Sequence, residues 1–169
     1  MEGFCATDVS PRERATQIAR DGGLRPPWST EARIRAHCTS CNACITSCPE
    51  GILRGGPGGT PVVDFSLNAC TFCGACTEAC PEAVFDLSAP PWVVIAAIGP
   101  QCLLDAGVSC RSCTDACEPS ALRFDLRAGR VGRVSVDAGS CTGCGACVGM
   151  CPVGAIAITE THAIAEKTT

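Results

Sequence analysis

Seventeen cysteines in 169 residues are the reactive groups of this chain, and sixteen of them fall at the spacing of metal ligands. They form four sets: Cys38, Cys41, Cys44 and Cys48; Cys70, Cys73, Cys76 and Cys80; Cys102, Cys110, Cys113 and Cys117; and Cys141, Cys144, Cys147 and Cys151. The first, second and fourth read C-x2-C-x2-C-x3-C-P, closed by Pro49, Pro81 and Pro152, whereas the third opens its first gap to seven residues and ends Cys117-Glu-Pro119. A cuboidal 4Fe-4S cluster needs four thiolates at the corners of a tetrahedron, and C-x2-C-x2-C lets one tight loop deliver three. The fourth comes from elsewhere.

In two-cluster ferredoxins the cysteine before proline ligates the other cluster, so that paired motifs interlock. On that pattern cluster I takes Cys38, Cys41, Cys44 and Cys80, and cluster II takes Cys70, Cys73, Cys76 and Cys48. The second pair gives Cys141, Cys144 and Cys147 with Cys117, and Cys102, Cys110 and Cys113 with Cys151. Three regular sites are expected, and a fourth on the irregular set, with a vacant or labile site as the alternative there. Four-cysteine zinc sites usually come as two separated C-x2-C pairs, and cytoplasmic thiols stay reduced, so zinc and disulfides rank below iron. Gly74, Ala75, Gly145 and Ala146 leave the backbone free to turn N–H groups toward sulfur.

The elements holding these loops repeat. The last cysteines of successive sets are 32, 37 and 34 residues apart, and removing the five-residue expansion of the third makes the period nearly constant. Short β-branched stretches at 61–65, 92–96, 121–126, 133–137 and 155–158 read as strands. Glycine-rich 55–59 and residues 127–130 read as turns between paired strands, and room for about one helical turn precedes each closing proline. The fold class expected is α+β: tandem bacterial ferredoxin-like (βαβ)2 modules built around 4Fe-4S clusters. Its expected divisions are an extended arm at 1–32, one module at 33–88 with sets one and two, a second at 90–160 with sets three and four, and a polar tail at 161–169.

Composition agrees with a metal-held protein. Only 38 residues are Val, Ile, Leu, Met, Phe or Trp, and there are 18 Gly, 12 Pro and no Tyr, so side-chain hydrocarbon alone makes a thin core. Thirteen basic against 17 acidic residues, a net charge of -4, argue against nucleic-acid binding. The longest apolar run, 92–98, is far short of the ~20 residues that span a bilayer, and residues 1–20 have neither an apolar h-region nor paired arginines. These features predict a soluble cytoplasmic protein with no stable membrane insertion.

No hydrolytic or nucleophilic constellation competes with the cysteines, so no catalytic residue is expected. His37 beside Cys38 reads as packing against the site rather than a proton relay, and Cys5 as a free terminal thiol. His162 falls in the polar tail. Arg123, Arg127, Arg130 and Arg133 read as a solvated face, with docking of an acidic partner as the alternative, and Trp28 and Trp92 as packing.

The arm Gly23-Leu-Arg-Pro-Pro-Trp-Ser29, then His37-Cys-Thr-x-Cys41, the Gly58-Gly59-x-Pro61 turn, the irregular third set ending at Pro119 and Cys141-x-Gly-Cys-Gly-Ala-Cys147 together resemble the ferredoxin-type NapF family. The resemblance runs from about residue 20 to 158. It implies a cytoplasmic accessory iron-sulfur protein that binds the catalytic molybdoenzyme subunit of periplasmic nitrate reductase and helps mature it before export, by electron delivery or cluster assembly. Family members are credited with three regular cluster sites, which match 38–48, 70–80 and 141–151 here. The alternative function is a general electron-transfer ferredoxin or the wiring subunit of a larger oxidoreductase; a third is a structural metal protein.

Overall fold

The computed structural model describes residues 23–160. The expectations for Cys5, His162 and the polar tail, and for residues 1–22 of the arm, lie outside the described residues. Helix α1 (Glu31–His37) starts where the Thr30 hydroxyl accepts the Arg33 N–H, and it ends at the first cluster-motif cysteine, Cys38. One short helix then follows the middle of each cysteine loop: α2 (Ala43–Ser47), α3 (Ala75–Glu78), α4 (Ser112–Asp115) and α5 (Ala146–Gly149).

Strands β1 (Leu53–Gly55) and β2 (Pro61–Val63) pair antiparallel, Leu53 opposite Val63, around a 3-10 turn at Pro57–Gly59. In the C-terminal half β3 (Val94–Ile98) pairs antiparallel with β6 (Ile156–Glu160), and β4 (Leu122–Asp125) with β5 (Arg133–Val136). That half therefore runs β3-α4-β4-β5-α5-β6, an outer strand pair enclosing an inner hairpin. Each of the five expected strand stretches overlaps an observed strand, with ends differing by no more than two residues, while β1 at 53–55 adds a sixth strand.

The tandem is unequal. Among the described residues the N-terminal half has only the β1–β2 sheet, with α1 ahead of its first cysteine loop where the other half's element order begins with β3. The Arg33 guanidinium donates to the Val84 and Phe85 carbonyls at 3.1 Å each, binding the end of this half to α1 by a side chain instead of a strand ladder. Residues 23–29 form no helix or strand; they turn at Pro27-Trp28, where Trp28 is left-handed (φ 60°) and Ser29 N–H donates to the Pro26 carbonyl, and they are threaded into the body. Val63 N–H donates to the Leu24 carbonyl, Trp28 N–H to Pro91, and Trp92 Nε1–H to Arg25; Pro26 is fully buried.

Two small cores result. One joins Cys44, Ile52, Leu53, Phe65 and Cys76; the other joins Ala96, Leu122, Cys147 and Ile156; Val148 and Ile158 pack against both. Cysteine side chains supply part of the buried surface in each, as the sparse aliphatic composition requires.

Candidate metal centre

Each regular motif is shaped by two left-handed residues. Ser40 (φ 55°), Phe72 (φ 55°) and Gly143 (φ 72°) precede the second cysteine; Asn42 (φ 63°), Gly74 (φ 80°) and Gly145 (φ 83°) follow it and open the helix that carries the third. Alternating left- and right-handed backbone curls successive N–H groups toward one side, making a concavity for an anionic group. The third set departs from this: Arg111 before α4 has φ −133°, and neither residue between Cys110 and Cys113 is left-handed. Asn42 and Ser40 show that glycine was not the full signal for these positions.

The thiols come together across the motifs. Cys38, Cys41, Cys44 and Cys80 line one hollow, about 350 Å³ counted out to its mouth. Cys48, Cys70, Cys73 and Cys76 line a second of about 340 Å³, walled by Pro27, Trp28 and Phe72. Cys102, Cys110, Cys113 and Cys151 line a third of about 360 Å³ with Leu103, Leu104 and Val134. Cys117 and Cys141 pack against the core that holds Cys147, whose thiol also lies near Cys144. The irregular third set is thus gathered round a hollow like those of the regular ones, with the cysteine before Pro152 completing it.

Backbone donors reach the sulfurs: Phe72 N–H to Cys70 Sγ at 3.4 Å, Leu122 N–H to Cys117 Sγ at 3.5 Å and Ala155 N–H to Cys151 Sγ at 3.2 Å. Such bonds favour a thiolate and raise the potential of a bound cluster. Burial acts in the opposite direction on the bare thiols. It pushes Cys44 and Cys70 up to about 11 and Cys76 and Cys147 up to about 12, with neighbouring cysteine charges adding to it, and it raises Cys113 as well. Thiolates crowded in this way need positive charge among them, which is what metal ions supply.

The donor set fits a polynuclear cluster better than a single ion. Zinc draws four sulfurs to ~2.3 Å from one point. Here four thiols drawn from two motifs stand round each of three hollows, and three C-x2-C-x2-C loops deliver three thiols apiece, as a cuboidal cluster requires.

Around these sites the expected bystanders fall into place. Trp28 and Trp92 are packing residues, both edge-on to Phe72 at 6.4 and 5.5 Å between ring centroids, and Phe65 meets Trp92 at 5.8 Å. Phe65 ends the expected strand 61–65 and Phe72 lies between Cys70 and Cys73, but neither position signals a ring contact from the sequence. Arg123 pairs with Asp137 at 2.9 Å, and the Arg111 guanidinium lies 5.2 Å over the Phe124 ring. No helix among the described residues is long and apolar enough to cross a membrane.

Interlocked cysteine loops around paired hollows define a class, and sequence comparison assigns the same one: two 4Fe-4S dicluster domain matches, over residues 37–85 and 108–155. The chain is thus a ferredoxin-type protein that binds 4Fe-4S clusters, the equipment of an electron carrier. Ferredoxin-type protein NapF of Escherichia coli strain K12 is 43% identical over 143 residues, covering 83% of this chain and 87% of that protein. The Haemophilus influenzae protein of the same name is 44% identical over 140 residues, 82% of this chain and 80% of its own length. The chain belongs to the ferredoxin-type NapF family. No solved structure matches it significantly.

Proposed function

We propose that this protein is a cytoplasmic accessory iron-sulfur protein of the periplasmic nitrate reductase system, which binds the catalytic molybdoenzyme subunit before its export and helps mature it. Membership of the NapF family across 83% of the chain is the observation that carries this reading, because the resemblance implies that role. The chain divides into two modules, 33–88 and 90–160, and holds four clusters. Cluster I sits on Cys38, Cys41, Cys44 and Cys80; cluster II on Cys48, Cys70, Cys73 and Cys76; cluster III on Cys117, Cys141, Cys144 and Cys147; cluster IV on Cys102, Cys110, Cys113 and Cys151. The three hollows support the sets of clusters I, II and IV, and the nearness of Cys141 and Cys144 to Cys147 supports those three ligands of cluster III.

A bound 4Fe-4S cluster supplies one-electron exchange without making or breaking bonds to protein atoms. The chain's own residues hold the thiols, aim N–H groups at sulfur and exclude water. Around the second set Trp28, Ile52, Leu53 and Phe72 form the apolar wall. Cys41 and Cys73 remain exposed, so sets I and II each present one edge to a partner.

The test is capture of the nitrate reductase catalytic subunit by the anaerobically purified protein, comparing the precursor that retains its export signal with the mature enzyme. Binding of the precursor supports the reading; binding of only the mature, folded enzyme counts against it. A general carrier or wiring subunit is the second reading, favoured by the contact between cysteine sets of the two halves. It predicts rapid reversible reduction and a stable complex with an oxidoreductase other than the nitrate reductase precursor.

A further inference from the structure

The four thiol sets do not form two separate pairs. Within the N-terminal half sets I and II adjoin through α2 and α3, where the Ser47 hydroxyl donates to the Ala75 carbonyl at 3.2 Å and Cys76 has Cys44 and Cys48 as charge neighbours. Within the C-terminal half sets IV and III adjoin through α4 and α5, with Cys113 near Cys147. Between the halves, Cys70 N–H donates to the Cys144 carbonyl at 2.8 Å, and Cys144 is a charge neighbour of the Cys70 thiol. One ligand loop is therefore hydrogen-bonded to another across the halves.

That crossing is built by residues with no metal-binding chemistry. The Phe65 ring lies where a β-carbon on Gly145 would be, and a β-carbon on Gly149 would stand 3.1 Å from the Phe65 and Ser66 carbonyl oxygens. Val94 closes on Gly143 in the same way, at 2.6 Å from its would-be β-carbon. Two of the glycines around the last motif, Gly145 and Gly149, are thus places where the chain of the other half comes into direct contact, while Gly143 is where β3 of its own half does. Val148 completes the seam by packing into both cores.

We propose that Phe65, seated on Gly145, is the positioning residue that presses set II against set III, so that the four sets stand in the single file I–II–III–IV with one crossing, at Cys70 and Cys144. This rests on the cluster assignment above. Sets I and IV are then the two ends of the file, and a protein that exchanges electrons with two partners has one terminus for each. The thiols of sets II and III would hold their clusters side by side at the crossing, where one-electron exchange between them would oxidise one and reduce the other. No bond or proton changes place, and dithionite supplies the electron from outside.

The experiment uses the full-length holoprotein and Phe65→Ala, with Phe65→Leu as the conservative variant that restores apolar bulk. Three quantities are read: iron and sulfide per chain, hydrogen exchange of the Cys70 amide, and the interaction broadening of the EPR spectrum after dithionite reduction. The expected result for Phe65→Ala is wild-type iron, Cys70 exchange about tenfold faster or more, and partial narrowing of the spectrum as the crossing loosens. Within-half protection at Asp64 N–H and Asp137 N–H stays, because those donate to Ile52 and Ala121. Phe65→Leu recovers both signals in part.

Unchanged Cys70 exchange or unchanged broadening in an iron-replete Phe65→Ala protein overturns the proposal. Should Phe65→Ala lose its iron, Gly149→Ala carries the same test, since it pushes on the seam from the other side without emptying the first core. A wild-type chain that holds no iron sinks the cluster assignment instead, so the two failures are told apart.

Discussion

The ring of Phe65 lies directly over the α-carbon of Gly145, in the space that any β-carbon there would occupy. Gly74 has nearly the same backbone, φ 80° and ψ −6° against φ 83° and ψ 0°, but a β-carbon there would meet nothing closer than Thr77 Oγ1 at 3.8 Å. The two glycines therefore separate conformational strain from crowding. Gly74→Ala is expected to cost only the left-handed term, roughly 1 to 2 kcal/mol. Gly145→Ala adds overpacking of a further roughly 1 to 3 kcal/mol. The urea midpoint for bleaching of the cluster absorbance checks this, and equal shifts for the two variants would remove Phe65 from the account.

Arg25 anchors the arm through its side chain. With 11% of that side chain exposed, its guanidinium donates to Glu31 at 2.6 Å, to the Thr60 hydroxyl at 2.9 Å and to the Pro61 carbonyl at 3.0 Å. Hydrogen bonds from a charged group contribute roughly 1.5 to 3 kcal/mol each way they are measured, and a lysine cannot supply the fork. Arg25→Met is expected to destabilise the N-terminal half by about 2 kcal/mol, and Arg25→Lys to recover less than half of that. Urea denaturation of the two variants reads the difference. A Lys variant as stable as wild type would mean that charge alone holds the arm.

The same contact sets a pH dependence. Hydrogen bonds from Arg25 and then Arg35 hold the Glu31 carboxyl below its ordinary value of 4.5. A carboxyl depressed in the folded state binds fewer protons there than in the unfolded chain, so its stabilisation is in place above about pH 4.5 and is lost as pH falls below it. The stability gap between wild type and Glu31→Gln is therefore expected to be widest near neutral pH and to shrink as pH falls through 4.5 and below. Urea midpoints taken across that window check it. A gap that widens on acidification would reverse the sign and exclude an ionised Glu31 as its source.

Much of the site was legible because ligand geometry is local. C-x2-C-x2-C places three thiols on one loop, and the interlocking rule gives the closing Cys-Pro to the opposite motif, which is the grouping found at the three hollows, while the set of Cys117, Cys141, Cys144 and Cys147 lines none of them. The hairpin turns were legible for the same reason, since 55–59 and 127–130 carry glycines where the chain reverses. Phe65 was not, because nothing in its neighbours 64 and 66 says that it will meet residue 145. Ser40 and Asn42 hid their left-handed backbone behind side chains that only tolerate it, whereas Gly74 and Gly145 advertised theirs. The unequal tandem was also beyond pattern reading. Both halves have similar cysteine loops, and only the side-chain bonds of Arg25 and Arg33 show that a helix and an arm are tied into the N-terminal half.

The contrast between the regular loops and the third one predicts unequal losses of iron. Cys41 is the second ligand of a loop pinned by two left-handed residues, and its set is completed by Cys80, so losing it disturbs the closing residues of both motifs. Cys102 stands at the start of the expanded gap, with seven residues between it and Cys110, on a loop without that pinning. A fully loaded chain holds about sixteen irons in four clusters. Cys102→Ser is expected to lose one cluster and keep about twelve irons, while Cys41→Ser falls toward about eight as the interlocked pair goes together. Iron and acid-labile sulfide per chain on anaerobically purified protein make the measurement. Full iron in Cys41→Ser refutes the ligand set of cluster I. About twelve irons in the wild type, unchanged in Cys102→Ser, would mean that the hollow lined by Cys102, Cys110, Cys113 and Cys151 does not keep a cluster.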